Sequence, residues 1–432
     1  MRHTLVSRRD FLLASGGAAC SLLILPRSAA STLANSRLRV GVVGVGGQGR
    51  ANLNGVSGEE VVALCDVDRN TLEGAAQAFK GATLYRDYRE MIATESLDAV
   101  VVSTPDHVHG PAGAFALRRG LHLYCEKPLA HSVYECRTMA RVAASKNLAT
   151  QMGTQIHAGD NYRRVVELIR GGAIGRVTEA HVWCGKSWAD GRFAEPKEAP
   201  AHLDWNLWLG PRPQRPYCDG LHPGNWRRFW EFGTGTLGDM ACHYMDLVFW
   251  ALDLRHPLRV EAAGPAVHEV GTPDSLTVRW DFPQPDGKGV LPVWWYDGSK
   301  RPEALKNLRR SDGSALQWGD GQLFIGDKGM LISDYGGHML LPESDFTDYQ
   351  RPAQTIPGSI GHHAEWIRAC KEGTPTTCNF EYSGALAEAV LLGNVAFRTG
   401  KALEWDGAQA RVKNAPEAQE WIVPEFRAGF EV

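Results

Sequence analysis

The 432-residue chain has nine cysteines and not one C-x-x-C pair among them, which excludes zinc-ribbon and thioredoxin-type sites. Beyond residue 30 it has no apolar run near the roughly 20 residues that a membrane-spanning helix needs. It has little excess of charge: 46 Lys and Arg against 49 Asp and Glu leave a net charge of -3. That balance removes the long-range field expected of a nucleic-acid binder, so no nucleic-acid partner is expected. It shows no internal repeat, no low-complexity tract and no dense ligand cluster, so no metal is expected. What it does have is 47 glycines, which predict many tight turns, and 14 tryptophans, which serve as core filler or as sugar-stacking faces. With 44% hydrophobic and 22% charged residues the composition is that of a folded protein, and the length suits two domains.

Residues 1–30 read as a targeting segment rather than as fold. Ser7-Arg8-Arg9-Asp10-Phe11-Leu12 is a twin-arginine pattern, a mildly apolar stretch follows to Leu25, and Ser28-Ala29-Ala30 offers small residues for cleavage. The expectation is export in the folded state to the periplasm, with any cofactor loaded beforehand and no stable membrane insertion after cleavage. Folding before export leaves the cysteines after the leader mainly as reduced, buried hydrophobes.

Residues 38–43, LRVGVV, predict a buried strand. Gly44-Val45-Gly46-Gly47-Gln48-Gly49 follows at once, and a helix opens at Arg50. This is G-x-G-x-x-G in its strand–turn–helix setting. The first glycine makes the turn, the second lets backbone approach a pyrophosphate, and the third lets helix and strand pack closely. A second strand, Glu60–Cys65, ends at Asp66. A carboxylate there accepts from both ribose hydroxyls and repels a 2′-phosphate, which favours NAD over NADP; Arg69 nearby softens that preference. Strands at 98–103 and 121–125, with a helix between them, extend the pattern to a doubly wound parallel sheet. Ser103, Thr104 and Pro105 leave one strand end, where ligands gather, and Glu126-Lys127-Pro128 leave the next. His107 and His109 follow Pro105 and read as a turn cap and a cofactor-facing ring rather than as a metal pair.

The glycine motif, Asp66, Ser103-Thr104-Pro105 and Glu126-Lys127-Pro128 occur in one order with one spacing. Further on, Gly235-Thr236-Leu237-Gly238-Asp239-Met240-Ala241-Cys242-His243 places an Asp and a His four residues apart. The chain after the leader resembles the Gfo/Idh/MocA family of glucose–fructose oxidoreductase and inositol 2-dehydrogenase, closely in its first half and more loosely after about residue 255. The resemblance implies an N-terminal Rossmann domain (37–150) and a C-terminal α+β domain (151–432) with a large open, mostly antiparallel sheet. It implies a carbohydrate or polyol held between that sheet and the nicotinamide. It maps the family's Lys, Asp and His to Lys127, Asp239 and His243 as catalytic and substrate-binding residues, and turns Gln155 and His157 toward the cleft. Gln155 and Glu126 are then cofactor contacts as well. The open sheet of the family often packs on a second copy, so a dimer or tetramer is expected.

These residue types suit the chemistry on their own account. Oxidising a secondary alcohol requires removal of its hydroxyl proton, for which a His with a pKa near neutral is suited. An Asp one helical turn away shares its face. A Lys at a strand end can steady negative charge on the same oxygen.

In the second half, residues 185–235 are rich in Pro, Gly and Trp and read as a long insertion over the sheet edge. Trp226 and Arg227 lie just before the Asp239 helix; lining the sugar site and packing the loop onto the core are both open to them. The expected function is hydride transfer on a sugar, polyol or glycoside with a tightly bound cofactor. Glycoside cleavage through transient oxidation and elimination is a second expectation, and a non-catalytic sugar-binding protein on the same scaffold a third.

Overall fold

The computed structural model describes residues 36–285 and 287–432, so the predicted leader with its twin-arginine pattern lies outside the described residues. Two sheets organise the rest. Strands β1 (Arg39–Val43), β2 (Glu60–Cys65), β3 (Thr83–Tyr85), β4 (Ala99–Val102), β5 (His122–Cys125) and β6 (Thr150–Met152) form the first, in the order β3-β2-β1-β4-β5-β6. Every ladder in it is parallel. Val42, Val43 and all of β4 are buried, because helices cover both faces of a parallel sheet. The order reverses between β1 and β4, and a crevice opens at the C-terminal ends of these two strands.

The second sheet holds β7 (Val177–Cys184), β8 (Arg259–Ala263), β9 (Thr277–Pro283), β10 (Val290–Asp297), β11 (Gly321–Gly326), β12 (Gly329–Ser333), β13 (His338–Leu341), β14 (Leu403–Asp406) and β15 (Arg411–Val412). Its order is β13-β12-β11-β7-β10-β9-β8-β14-β15, and only β10 with β7 is parallel among the described residues. Alternation sets its faces. In β9, Val278, Trp280 and Phe282 are buried under helices, while Arg279 and Asp281 look out from the other face. The helices Gly235–Leu252 and Phe380–Thr399 lie on the buried face. The second of them also packs against the Val133–Ser145 helix of the first sheet, so one apolar core runs through both halves.

The expected pairing of a Rossmann sheet with a larger, mostly antiparallel sheet is the observed fold. The last long helix begins at Phe380, where the Asn379 side chain accepts from the N–H groups of Glu381 and Tyr382 and caps it. The segment 185–235 carries little regular structure and closes on its own apolar cluster around Trp208, Leu221, Trp226 and Phe232. It is tied to the first sheet: Asp204 N–H donates to Val67 O at 2.9 Å, and Arg69 N–H donates to His202 O at 2.9 Å.

Candidate active site

A cavity of about 990 Å³ runs from the glycine turn to the Gly235–Leu252 helix. At the turn, Gly44 has φ 80° and a Cβ on it would meet Ser103 O at 2.5 Å. A Cβ on Gly49 would meet Gly44 O at 2.1 Å, which is why the helix can start so close to β1. Gly44, Gly46, Gly47 and Gln48 line the cavity; Gly49 supports the turn from behind.

The residues present fit a dinucleotide. Gly47 has φ 48° and nothing near an added Cβ, so the turn presents bare backbone to the cavity. Among the described residues the N–H groups of Gly46, Gly47 and Gln48 meet no protein acceptor, the donor set a pyrophosphate takes at a helix N-terminus. Asp66 accepts from Val45 N–H at 2.9 Å and Asp68 N–H at 3.0 Å, and its oxygens keep lone pairs for ribose hydroxyls. Burial pushes its pKa up while those two N–H bonds oppose the rise. Arg69 is not at the cavity; Arg86 is. On the opposite wall Ser103, Thr104 and Pro105 line the site, and the buried Thr104 hydroxyl has no protein partner.

Glu126, Lys127 and Gln155 meet at the inner end. Glu126 accepts from Asn52 Nδ2 at 2.9 Å and from Gln155 Nε2 at 2.7 Å. Asn52 also donates to Ser103 Oγ at 2.9 Å, so one side chain links the two strand-end motifs. The Lys127 ammonium turns the other way and donates to Asp239 Oδ1 at 2.6 Å. Asp239 and His243 share the cavity face of their helix. Asp239 also takes Lys186 Nζ at 2.9 Å, Trp188 Nε1 at 2.7 Å and Arg227 Nε at 3.3 Å. Burial pushes this carboxyl up, but Lys127, Arg227 and Lys186 together hold it well below the usual carboxylate range. Burial, with Lys127 and Lys186 adding, pushes His243 down to about 3. The imidazole is therefore neutral but lies far below the near-neutral pKa expected of a proton acceptor, because burial and the two ammonium groups disfavour its charged form, and no described residue hydrogen-bonds it.

Two expected residues, His107 and His157, sit away from the cavity. His107 is fully buried away from the cavity, with Nε2 at 2.9 Å from Trp208 O and Nδ1 at 3.2 Å from Phe232 O; it fastens the insertion rather than facing a cofactor. His109 does line the cavity, held between the carbonyls of Pro128 (2.8 Å) and Thr104 (2.7 Å). His157 is not turned to the cleft. Its Nδ1 lies 2.9 Å from both oxygens of buried Asp246, and Trp250 stacks on its ring at 4.1 Å. The Cys378 thiol lies near this pair, yet Tyr382 also donates to Asp246 at 2.7 Å, so protein donors already engage the carboxylate. Trp226 and Arg227 line the cavity, the guanidinium stacked over the indole at 4.1 Å. His363 stacks on Tyr124 at 4.9 Å and His362 Nε2 lies 2.9 Å from Met152 O, so both brace the first sheet.

The sequence reading missed Lys186, Met240 and Tyr335, which line the cavity, and Asn52 behind it. Lys186 had one available signal, its place at the opening of the insertion just past the end of β7.

Two family models match the chain: an oxidoreductase family, NAD-binding Rossmann fold, over residues 38–154, and the oxidoreductase family's C-terminal alpha/beta domain over 173–284. The chain belongs to the Gfo/Idh/MocA family. Inositol 2-dehydrogenase 4 from Saccharopolyspora erythraea is 34% identical over 155 residues, which is 34% of this chain and 46% of that protein. The chain thus spans about half the length of the curated relatives it matches. Among solved structures, the WlbA dehydrogenase from Bordetella pertussis, in complex with NADH and UDP-GlcNAcA, superposes with a TM-score of 0.59 at 18% identity. That match covers 86% of this chain and 99% of that one. Levoglucosan dehydrogenase, in complex with NADH and L-sorbose, gives 0.57 at 17% identity, over 85% and 99%. These two likenesses show a shared fold.

Proposed function

We propose that this Gfo/Idh/MocA protein is an NAD-dependent oxidoreductase that moves a hydride between a nicotinamide and a secondary hydroxyl of a sugar or polyol. The observation that carries the reading is one cavity with dinucleotide-binding backbone at one end and Lys127, Asp239 and His243 at the other. The names of the relatives, an inositol dehydrogenase and a levoglucosan dehydrogenase, support the substrate class. Bound NAD would supply the hydride acceptor. The protein supplies the rest. Neutral His243 accepts the hydroxyl proton, Lys127 steadies the charge that develops on that oxygen, and Asp239 fixes the ammonium in place. Asp66 favours NAD over NADP.

The proposal includes a nucleotide retained between turnovers. Its support is the cover over the adenosine end. His222, Pro223 and Trp208 of the insertion line the cavity there together with Phe430 from the chain's last residues, and Arg427 N–H ties that segment to Pro211 O at 2.9 Å. It also includes export by the twin-arginine route, after which a released NADH would have no partner dehydrogenase, and self-association through the open sheet face. The test is the nucleotide content and absorbance of the purified protein before and after sugars and aryl glycosides are added. NAD that co-purifies and is reduced by a sugar supports the reading. A protein that emerges empty and turns over only with added NAD contradicts retention. Glycoside cleavage with no net reduction assigns the redox-neutral route, and sugar binding without either assigns a binding protein.

A further inference from the structure

The substrate end of the cavity is overstocked with positive charge. Lys127, Lys186 and Arg227 all converge on Asp239, at 2.6, 2.9 and 3.3 Å. The second carboxylate in reach, Asp106, is a partial counterpart: it takes Arg227 Nη1 at 3.5 Å and the Thr234 hydroxyl at 2.7 Å. Glu126 does not touch the group, being held by the amides of Asn52 and Gln155 and by Lys127 N–H. Three cations therefore share two carboxylates. An oxidised nicotinamide brings one more positive charge.

The surplus is turned toward the cavity. The Lys186 side chain is 43% exposed and the Arg227 side chain 21%, against 10% for Lys127 and 4% for Asp239. Beyond Asp239, Lys186 Nζ meets Met240 Sδ at 3.7 Å and lies 5.0 Å over the Trp188 ring, so among the described residues an ammonium with three donors has one good hydrogen-bond acceptor. Arg227 Nη2 meets no acceptor among the described residues. Unbalanced cations in a half-closed site are costly unless a counter-charge arrives. Neither residue belongs to the Rossmann motifs. Lys186 opens the insertion just after β7 and Arg227 lies near its end, so this charge is a feature of the substrate end.

We infer that the substrate is an acidic monosaccharide whose ring carries a carboxylate, held by Lys186 and Arg227 while the hydroxyl to be oxidised faces Lys127 and His243. An anionic group on the sugar answers that surplus, and a guanidinium suits the planar fork of a carboxylate. This inference rests on the oxidoreductase reading above.

The test uses the native protein with its nicotinamide. Glucuronate, galacturonate and mannuronate are each compared with their methyl esters and parent hexoses, with hexose 6-phosphates as a further arm. Binding is read by calorimetry and turnover by reduction of the nicotinamide. At least one uronate should bind and react tenfold or more better than its ester, and Lys186→Gln and Arg227→Gln should each shrink that ratio. Added salt should weaken the acid and leave the ester. Esters and hexoses that match or exceed the acids overturn the inference while leaving the oxidoreductase reading intact. Phosphates that outperform every uronate overturn the carboxylate assignment. If no sugar of any charge binds or reduces the nicotinamide, the underlying reading fails and this one with it.

Discussion

The Lys127 ammonium and the Asp239 carboxylate meet at 2.6 Å across the two halves of the molecule, one from the end of β5 and the other from the helix under the second sheet. A residue from the nucleotide-binding sheet is thus positioned by one from the substrate side. Lys127→Met should lower kcat for nicotinamide reduction by about 10²-fold or more while nucleotide binding holds, because only the ammonium near the reacting oxygen is lost. Asp239→Asn should lower it comparably and also raise KM, since three cations lose their shared partner. Steady-state kinetics on both variants, with bound nucleotide measured separately, checks this.

His243 is neutral in the fold, with its pKa pushed down to about 3 by burial and by Lys127. The unperturbed imidazole would put an acid limb near pH 6.5 in the rate profile. Here kcat/KM should stay flat from about pH 8 down to about pH 5, since the base does not protonate over that range. A limb centred near 6.5 that disappears in His243→Ala would show that the ring titrates normally.

Asp66 sits at the far end of the same cavity, with free lone pairs facing it. Asp66→Ala should weaken NAD binding about tenfold and narrow the margin over NADP, because it removes ribose acceptors and a charge that repels the 2′-phosphate. Titration with both nucleotides measures it. Equal weakening toward both would mean that the carboxylate serves only the turn.

His157 provides the control. Its partner Asp246 is fully buried, so His157→Ala leaves a desolvated carboxylate short of a donor and should cost about 3 kcal/mol of stability. Turnover of the folded variant should change by less than about threefold, as the residue does not reach the cavity. Denaturant unfolding and kinetics on one preparation separate the two effects.

Buried neutral imidazoles also set the acid limit. His107, His243 and His362 each lie at about 3, chiefly through burial. In the unfolded chain they protonate near 6.5, so stability falls as the pH drops below about 6.5, each adding up to about 1.4 kcal/mol per pH unit. Asp297, raised by burial to about 7, works the other way: it stays protonated in the fold, and its contribution is lost as the pH rises from about 4 to 7. His338, pushed down to about 4 by burial and Arg351, acts with the imidazoles; as lowered imidazoles outnumber raised carboxyls, Tm should fall from pH 7 to pH 5.

How far the sequence could be read follows from how local each signal is. The glycine turn, Asp66 and Lys127 were legible because each is tied to a strand end within a few residues. Asp239 and His243 were legible through the family resemblance, to which helical spacing adds that the two share one face. His157 was misplaced because it follows a strand that leads to the cavity, yet the chain enters a 3-10 turn there and stacking with Trp250 draws the ring inward. Lys186 was missed because its role exists only where β7 ends opposite the Asp239 helix, a contact that no short window of sequence contains. Strands β3, β8, β13, β14 and β15 are short and were not anticipated, and pairing with longer neighbours supports them.

The central claim is that a hydride passes between the nicotinamide and a carbon whose oxygen touches Lys127 and His243. The most direct measurement is mass analysis of the bound nucleotide after incubation with a sugar substrate deuterated at its ring carbons. The account predicts one deuterium on the nicotinamide with the native protein and almost none with Lys127→Met or His243→Ala. A nicotinamide that stays unlabelled while the sugar is consumed, or one labelled equally in both variants, would contradict it.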